Sequence, residues 1–574
     1  MKRLVYFLLF IAIAAPSTPI VPTESAPTEN LTPSENKVLA LVNSSEAWSY
    51  DMHLENIALS HNAFRAAGSA GANETADWIA EQFENFGLET RKEEFQFTCW
   101  DLLSRPTLII DNDGNSSTTT DQTMINSFQC EHYSPAGNVF ADLVILPLPP
   151  AADHTRMGAT PIGTLWNSIN TKGKVVLVGR EVRLDYGWQG TFNEKLRAQP
   201  PAAVIHTWWY NWMSFVPDFF SSAGGRPVAF DHYFWALGIP VGFVNYDDGL
   251  LIRNRENSLN VSAKVVINSV AEDGPQYNVV GKLRGFEEPD KSVIVCGHYD
   301  TVMCTGFCDN GAGTSGVIEL AHVFTEAAKR GIYYPKYSIL FIALAGEEIG
   351  LVGSIHYVAQ HKAEMDKIRA VLNLDCIGSD ILEVTETNID HGINLAEIVL
   401  DAAGDLSVNA RLIDPDQSDE APFLYPPNGD NILANWWDTS LGIGDAHPVE
   451  SSVMISSFPL LYRDQWSTGT PGWIHASYDN STSTYTLNWV EPQDFESHIK
   501  VAALTLVRVS PSSVVNTDLN KDGKVNILDI TIVAKAFGTK TGEPHWNDAA
   551  DLDKNGIINI IDLTIVARDF GKTA

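Results

Sequence analysis

Three uninterrupted apolar runs stand out in the middle of the chain: Val293-Ile294-Val295-Cys296, Ser338-Ile339-Leu340-Phe341-Ile342-Ala343-Leu344-Ala345 and Ala370-Val371-Leu372-Asn373-Leu374. Runs that are apolar at nearly every position, rather than at alternate ones, predict strands covered on both faces, as in a parallel sheet. Between the first two, Asp309-Asn310-Gly311-Ala312-Gly313 predicts a turn, and Val317, Leu320, Ala321 and Phe324 then recur at helical spacing. The pattern is therefore α/β, with a mixed and largely parallel central sheet. Nearer the N-terminus, Asn73 is expected to cap a helix that places Ile79, Phe83 and Phe86 on one face and stops at Gly87. The alternation in Glu93-Glu94-Phe95-Gln96-Phe97 then predicts a strand.

From 105 to 270 the texture changes to short apolar runs, Leu108-Ile109-Ile110, Leu143 to Leu146, Val175 to Val178, Ala203 to Ile205 and Val241 to Val244, separated by turn residues. This predicts a β-rich domain inserted into the α/β domain, which is thereby split into 36–104 and 271–508. The aromatic stretch Trp208 to Trp212 is expected to serve packing. A Ser/Pro linker, 509–515, leads to a repeat in 516–574, where Asp518 to Asp529 is echoed by Asp551 to Asp562. Each copy precedes a short apolar helix ending in Phe-Gly, at Phe537-Gly538 and Phe570-Gly571, so a small all-α module is expected.

A length of 574 residues is too great for one core, and an apolar share of 44% suffices for globular folding. The formal charge of −33 argues against a nucleic-acid partner, which would call for a basic patch, and suits a protein that handles divalent cations. Met1-Lys2-Arg3 followed by Leu4 to Ala15 has the form of a secretory signal, assigned to 1–18, with membrane contact only in transit. The polar stretch after it, 19–35, reads as a disordered spacer. Export would allow Cys99 to pair with Cys130 and Cys304 with Cys308, while Cys296 and Cys376 lie on predicted core strands as buried thiols.

Ligands of open α/β sheets bind at the carboxyl ends of the strands. His298, Asp300, Glu347, Glu348 and Asp375 all follow strand ends, and Asp309 at the helix start faces the same edge. So many charges at buried strand ends repel one another and are costly to desolvate unless cations neutralise them; a mixed His/carboxylate set suits zinc. A further histidine ligand is expected downstream, either His475, with Asp479 nearby, or His447.

In this order, His298-x-Asp300, Asp309-Asn310-x-Ala312-Gly313, Glu347-Glu348, Asn373-Leu374-Asp375 and His475 resemble the co-catalytic zinc aminopeptidases and glutamate carboxypeptidases, peptidase family M28. Arg65-Ala66-Ala67-Gly68-Ser69 looks like that family's N-terminal segment and the insert like its protease-associated domain, so the resemblance covers roughly 40 to 505. It implies a zinc exopeptidase fold and two zinc ions bridged by Asp309, one completed by His298 and Asp375, the other by Glu348 and His475. Asp300 would orient His298, and Glu347 would be the general base. Aminopeptidase action on peptides is the first expectation. A carboxypeptidase, a single-zinc glutaminyl cyclase and a non-catalytic receptor or adhesion module on the same fold are the alternatives.

The C-terminal repeat places side-chain oxygens at calcium-loop positions 1, 3, 5, 9 and 12 with Gly at 6: Asp518, Asn520, Asp522, Asn526 and Asp529, then Asp551, Asp553, Asn555, Asn559 and Asp562. Lys524 and Ile557 fall at position 7, where the main-chain carbonyl binds. Position 12 is Asp where ordinary EF-hands use Glu, and the repeat resembles a dockerin. That resemblance implies two calcium ions, a cohesin-containing partner, and a secreted, cell-surface-associated protein. Ile527-Leu528 and Ile560-Ile561 suggest that the contact is apolar.

Overall fold

The structure is a computed structural model and describes residues 31–112, 122–148, 162–179, 186–207, 238–255, 261–385, 393–413, 418–424, 451–457, 481, 490–513, 515–553 and 555–573. The candidate signal 1–18, the aromatic stretch Trp208 to Trp212, and His447, His475 and Asp479 lie outside them. Among the described residues no helix is long and apolar enough to cross a membrane.

Helix α1 (Pro33–Leu39) opens with a capping box between Thr32 and Glu35, so the last residues of the expected spacer are helical. Helix α2 (Ser44–Ser60) follows, then α3 (Ala70–Phe86). The cap of α3 is Ser69, not Asn73: the Ser69 hydroxyl accepts the Ala72 N–H at 3.2 Å and Asn73 already lies in the helix. Gly87 ends it as expected, at φ 89°, a left-handed conformation that glycine adopts without a Cβ clash.

Strand β1 (Glu89–Asp111) carries the chain into the inserted segment, which holds β2 (Gln122–Met124), β3 (Gln129–Cys130), β4 (Gly137–Leu146), β5 (Val175–Gly179), β6 (Ala203–Thr207) and β7 (Val241–Val244). Strand β8 (Ser262–Leu283) leads back, antiparallel to β1 from Asp111↔Ser262 to Glu89↔Lys282. The insert is thus joined by one continuous two-stranded ribbon, irregular only between Leu102 and Thr107, where the sequence texture changes. Its strands β4, β5, β6 and β7 run parallel, with helices Ile162–Trp166 and Tyr186–Ala198 between them. The β-rich texture of the insert is thus accompanied by helices, because parallel neighbours need long, usually helical, crossovers.

Beyond the ribbon come β9 (Glu288–His298), α4 (Gly313–Lys329), β10 (Tyr337–Leu344), α5 (Val352–Gln360), β11 (Ile368–Leu374), β12 (Leu382–Thr385), α6 (Leu395–Asp405), β13 (Ala410–Ile413), β14 (Ser452–Ser456) and α7 (Pro492–Val509). The sheet order is β13-β12-β14-β11-β9-β10-β8-β4-β5-β6-β7-β3. Strand β9 lies between β11 and β10 and is parallel to both. Val293, Val295 and Phe341 enter one core with residues of α3, α4 and α7, whereas Ile294, Cys296 and Ile342 enter another with Tyr357 and Val358 of α5. Burial on both faces accounts for the unbroken apolar runs.

The C-terminal module contains α8 (Ile527–Ala536) and α9 (Ile560–Arg568). Its core of Val525, Val533, Leu552, Ile558 and Val566 includes Tyr334 and packs against Phe286, both from outside the module. The Arg568 guanidinium donates to the Gly331 carbonyl at 2.8 Å and the Tyr334 hydroxyl at 2.6 Å. The expected linker begins as the end of α7 and then lies against the body, where the Ser513 N–H meets the Tyr334 carbonyl at 2.7 Å. No disulfide joins Cys99 to Cys130 or Cys304 to Cys308: all six cysteines are thiols, and all but Cys99 are buried.

Candidate metal centre

The order β11-β9-β10 brings three carboxyl ends side by side. His298 is the last residue of β9, Glu347 and Glu348 follow β10 by a short turn, and Asp375 directly follows β11. Asp309 arrives from the irregular helical segment Phe307–Ala312 that leads into α4, with a cis peptide bond between Asp309 and Asn310. Asn310 fixes this segment against β11. Its amide donates to the Leu374 carbonyl at 2.8 Å, and its oxygen accepts the N–H groups of Gly313 at 2.9 Å and Cys376 at 3.1 Å.

His298 Nε2 is 3.2 Å from Asp309 Oδ1, 3.6 Å from Asp375 Oδ1 and 4.0 Å from Glu347 Oε2. Two groups, His298 with Asp309 and Asp375, and His298 with Glu347 and Glu348, each bring one ligand atom per residue within 4.8 Å of the others. On the opposite side of the ring, His298 Nδ1 lies 3.1 Å from the Asp300 carbonyl oxygen, so a proton on Nδ1 leaves Nε2 as the ligand atom.

Burial alone disfavours a charged imidazole, but Asp300, Asp309 and Asp375 outweigh it and raise the His298 pKa well above its ordinary value. Burial, reinforced by Glu348 and Asp375 against the opposing pull of His298, likewise holds the Glu347 carboxyl well above the usual range. One imidazolium cannot neutralise Asp309, Glu347, Glu348 and Asp375 together; a divalent cation fits this donor set.

Asp300 is fully buried and does not approach as a ligand. Its carboxylate accepts the N–H groups of Gly346 at 2.7 Å, Glu347 at 3.2 Å and Glu348 at 3.4 Å. It therefore fixes the turn that presents both glutamates, a wider role than orienting His298.

Sequence reasoning missed Ser418-Asp419-Glu420, which comes to the same edge from a distant part of the chain. The Ser418 hydroxyl donates to Asp375 Oδ2 at 2.6 Å, the Ser354 hydroxyl to Asp419 Oδ1 at 2.5 Å, and the Asn373 amide to Glu420 Oε2 at 3.3 Å. Burial pushes Asp419 up to about 7 and Glu420 up to about 8. The available signal was an acidic pair directly before the apolar Ala421-Pro422-Phe423-Leu424.

In the C-terminal loops the spaced acids accept backbone N–H groups of their own loop. Asp518 accepts the N–H groups of Asp522 and Gly523 at 3.1 and 2.8 Å, while Asp529 accepts those of Leu519, Asn520 and Asn526 at 2.8, 3.0 and 2.8 Å. In the second loop, Asp551, Asp553 and Asp562 bring oxygens within 4.8 Å of one another. Burial and the charges of Asp562 and Asp551 push Asp553 up to about 7, a mutual repulsion of carboxylates that a cation would relieve.

Residues 278–424 match the family model of Peptidase family M28, and residues 516–571 that of the Dockerin type I domain. An aminopeptidase of Pseudomonas aeruginosa is 27% identical over 57% of this chain and 56% of its own length. Aminopeptidase YwaD of Bacillus subtilis is 30% identical over 38% of this chain and 43% of its own length. This chain thus spans about half the length of the curated relatives it matches. In fold it is similar to a solved zinc aminopeptidase from Bacillus subtilis, with a TM-score of 0.54 and 20% identity over 82% of this chain and 96% of that one.

Proposed function

From a chain that carries a Peptidase family M28 segment and a Dockerin type I domain, we propose a zinc aminopeptidase that works outside the cell and is tethered through its C-terminal module. The observation that carries this reading is the convergence of His298, Asp309, Glu347, Glu348 and Asp375 on one sheet edge. His298, Asp309 and Asp375 would hold one zinc ion, and Asp309, the acid nearest His298 Nε2, would share a second with Glu348. The second zinc takes its histidine from outside the described residues, His475 ahead of His447. Zinc held there supplies carbonyl polarisation and acidification of a water.

Glu347 works as the proton carrier. It stands at the cluster without being needed as a ligand and its side chain reaches solvent, a position suited to taking a proton from water and giving it to a leaving amine. Asp300 holds it in place through the turn. The Ser418 hydroxyl engages the second oxygen of Asp375 and leaves Oδ1 facing His298. The inserted segment is proposed to be a protease-associated domain. The two calcium loops and the exposed Ile527-Leu528 and Ile560-Ile561 pairs are proposed to bind a cohesin-containing partner.

The test is mass spectrometry of a defined peptide mixture, with free and acetylated N-termini, incubated with the full chain with and without a zinc chelator. Chelator-sensitive ladders from free N-termini alone are expected. Shortening from the C-terminus would replace the reading by a carboxypeptidase, and loss of ammonia from N-terminal glutamine without shortening by a cyclase. Unchanged peptides throughout would favour a non-catalytic module.

A further inference from the structure

A second cluster of metal-binding side chains lies outside the strand-end centre, where α2 crosses α4. Glu46 stands in the first turn of α2, and Glu319 and His322 lie one turn apart on α4. The three bring one ligand atom each within 4.8 Å of one another. His322 Nδ1 is 3.0 Å from Glu46 Oε2, close to the separation of about 3.3 Å between neighbouring ligands of a tetrahedral zinc. The His322 ring is held by stacking on Phe86, with centroids 4.9 Å apart.

Glu319 provides an independent observation. Its side chain is fully buried, and Oε1 accepts the N–H of Asn43, the cap of α2, at 2.7 Å. Capping therefore accounts for one oxygen. The other, Oε2, is buried with no hydrogen-bond partner, and the nearby carboxylate is Glu46, a like charge. A buried carboxylate that faces another and has an unused oxygen is costly unless a proton or cation comes between them. Burial and the Glu46 charge push Glu319 up to about 8, which is the protonic answer to the same strain. A divalent cation is the better one, because it uses all three side chains, the imidazole among them. Glu46 and His322 are 44% and 31% exposed, so an ion can enter and keep water as its remaining ligand.

We propose that Glu46, Glu319 and His322 bind a divalent cation, zinc by the character of the donors, that pins the N-terminal turn of α2 to α4. This site is separate from the strand-end centre and does not depend on the reaction proposed there. Its place in the fold gives it a structural role: the first turn of α4 carries Thr314, whose hydroxyl donates to the His298 carbonyl.

The experiment is anomalous diffraction at the zinc edge from crystals of the full chain equilibrated with zinc chloride, for the wild type, Glu319→Gln and His322→Ala. A wild-type peak between the three side chains, lost in both variants while density at His298 persists, is the expected result. No wild-type peak there would overturn the proposal and leave Glu319 as a protonated cap; a peak that survives in both variants would overturn the ligand assignment. Thermal unfolding with added zinc supplies the solution test, and the wild type should gain more than His322→Ala. Equal gains would count against the site. Because the map resolves the two positions, failure of the peptidase reading would be seen separately.

Discussion

Asp300, beyond β9, and Glu347, beyond β10, meet at one sheet edge and are assigned different work there. Glu347 is available to move a proton, while Asp300 spends its carboxylate on three backbone N–H groups of the turn that carries Glu347. The two roles separate experimentally. Glu347→Gln keeps size and polarity but cannot take a proton, so kcat should fall about 10²- to 10⁴-fold, the usual worth of a positioned general base. Its zinc content, measured by plasma mass spectrometry, should match the wild type. Asp300→Ala frees the turn and removes the support beside His298, so zinc affinity should weaken about 10- to 100-fold in a competition titration with a chelating dye. An Asp300→Ala protein that binds zinc as the wild type does would exclude the positioning role.

At the scale of elements, the centre depends on two buried devices that lie outside it. Arg65, fully buried, donates to the carbonyls of Leu54 on α2 and of Tyr299, Thr305 and Gly306 in the loop between His298 and Asp309. Arg65→Ala would strand those acceptors, and a loss of about 3–5 kcal/mol is expected, read as a lowered urea midpoint. His498 on α7 is the other device: its Nδ1 accepts the Gly378 N–H at 3.0 Å, just beyond Asp375, and burial brings its pKa from 6.5 down to about 3. The folded state therefore holds His498 neutral where the unfolded chain would protonate it. This contribution is fully present above pH 6.5 and fades as pH falls toward 3, by about 1.4 kcal/mol per pH unit. His498→Asn should lose stability more gently than the wild type between pH 6 and 4 in urea titrations.

At the scale of the whole molecule, the C-terminal module is both attached and exposed. Tyr334 and Arg568 join its core to the peptidase body, while Ile527, Leu528, Ile560 and Ile561 are 61%, 54%, 64% and 44% exposed at the start of its two helices. Apolar side chains in that position on both repeats form a surface suited to a partner. Ile527→Asp with Ile560→Asp should abolish capture of the cohesin partner without changing peptide hydrolysis. Calcium chelation should also abolish capture, but by a different route: circular dichroism should show lost helix, because Asp529 and Asp562 both line the loops and cap the helices. Capture that persists in the double variant would move the interface elsewhere.

The sequence alone determined the parallel core strands, because residues buried on both faces must be apolar at successive positions, and it determined the two C-terminal loops, because their acidic positions are local. His298, Asp309, Glu347, Glu348 and Asp375 were legible for the same reason, each standing at the end of such a run or at the helix start between two of them. Tertiary structure decided what depends on distant partners. It brought Ser418-Asp419-Glu420 to Asp375, joined the insert through one long ribbon, and set Glu319 against Glu46 across two helices. Local periodicity does not encode which faces meet, so nothing in the order of residues could place those groups together.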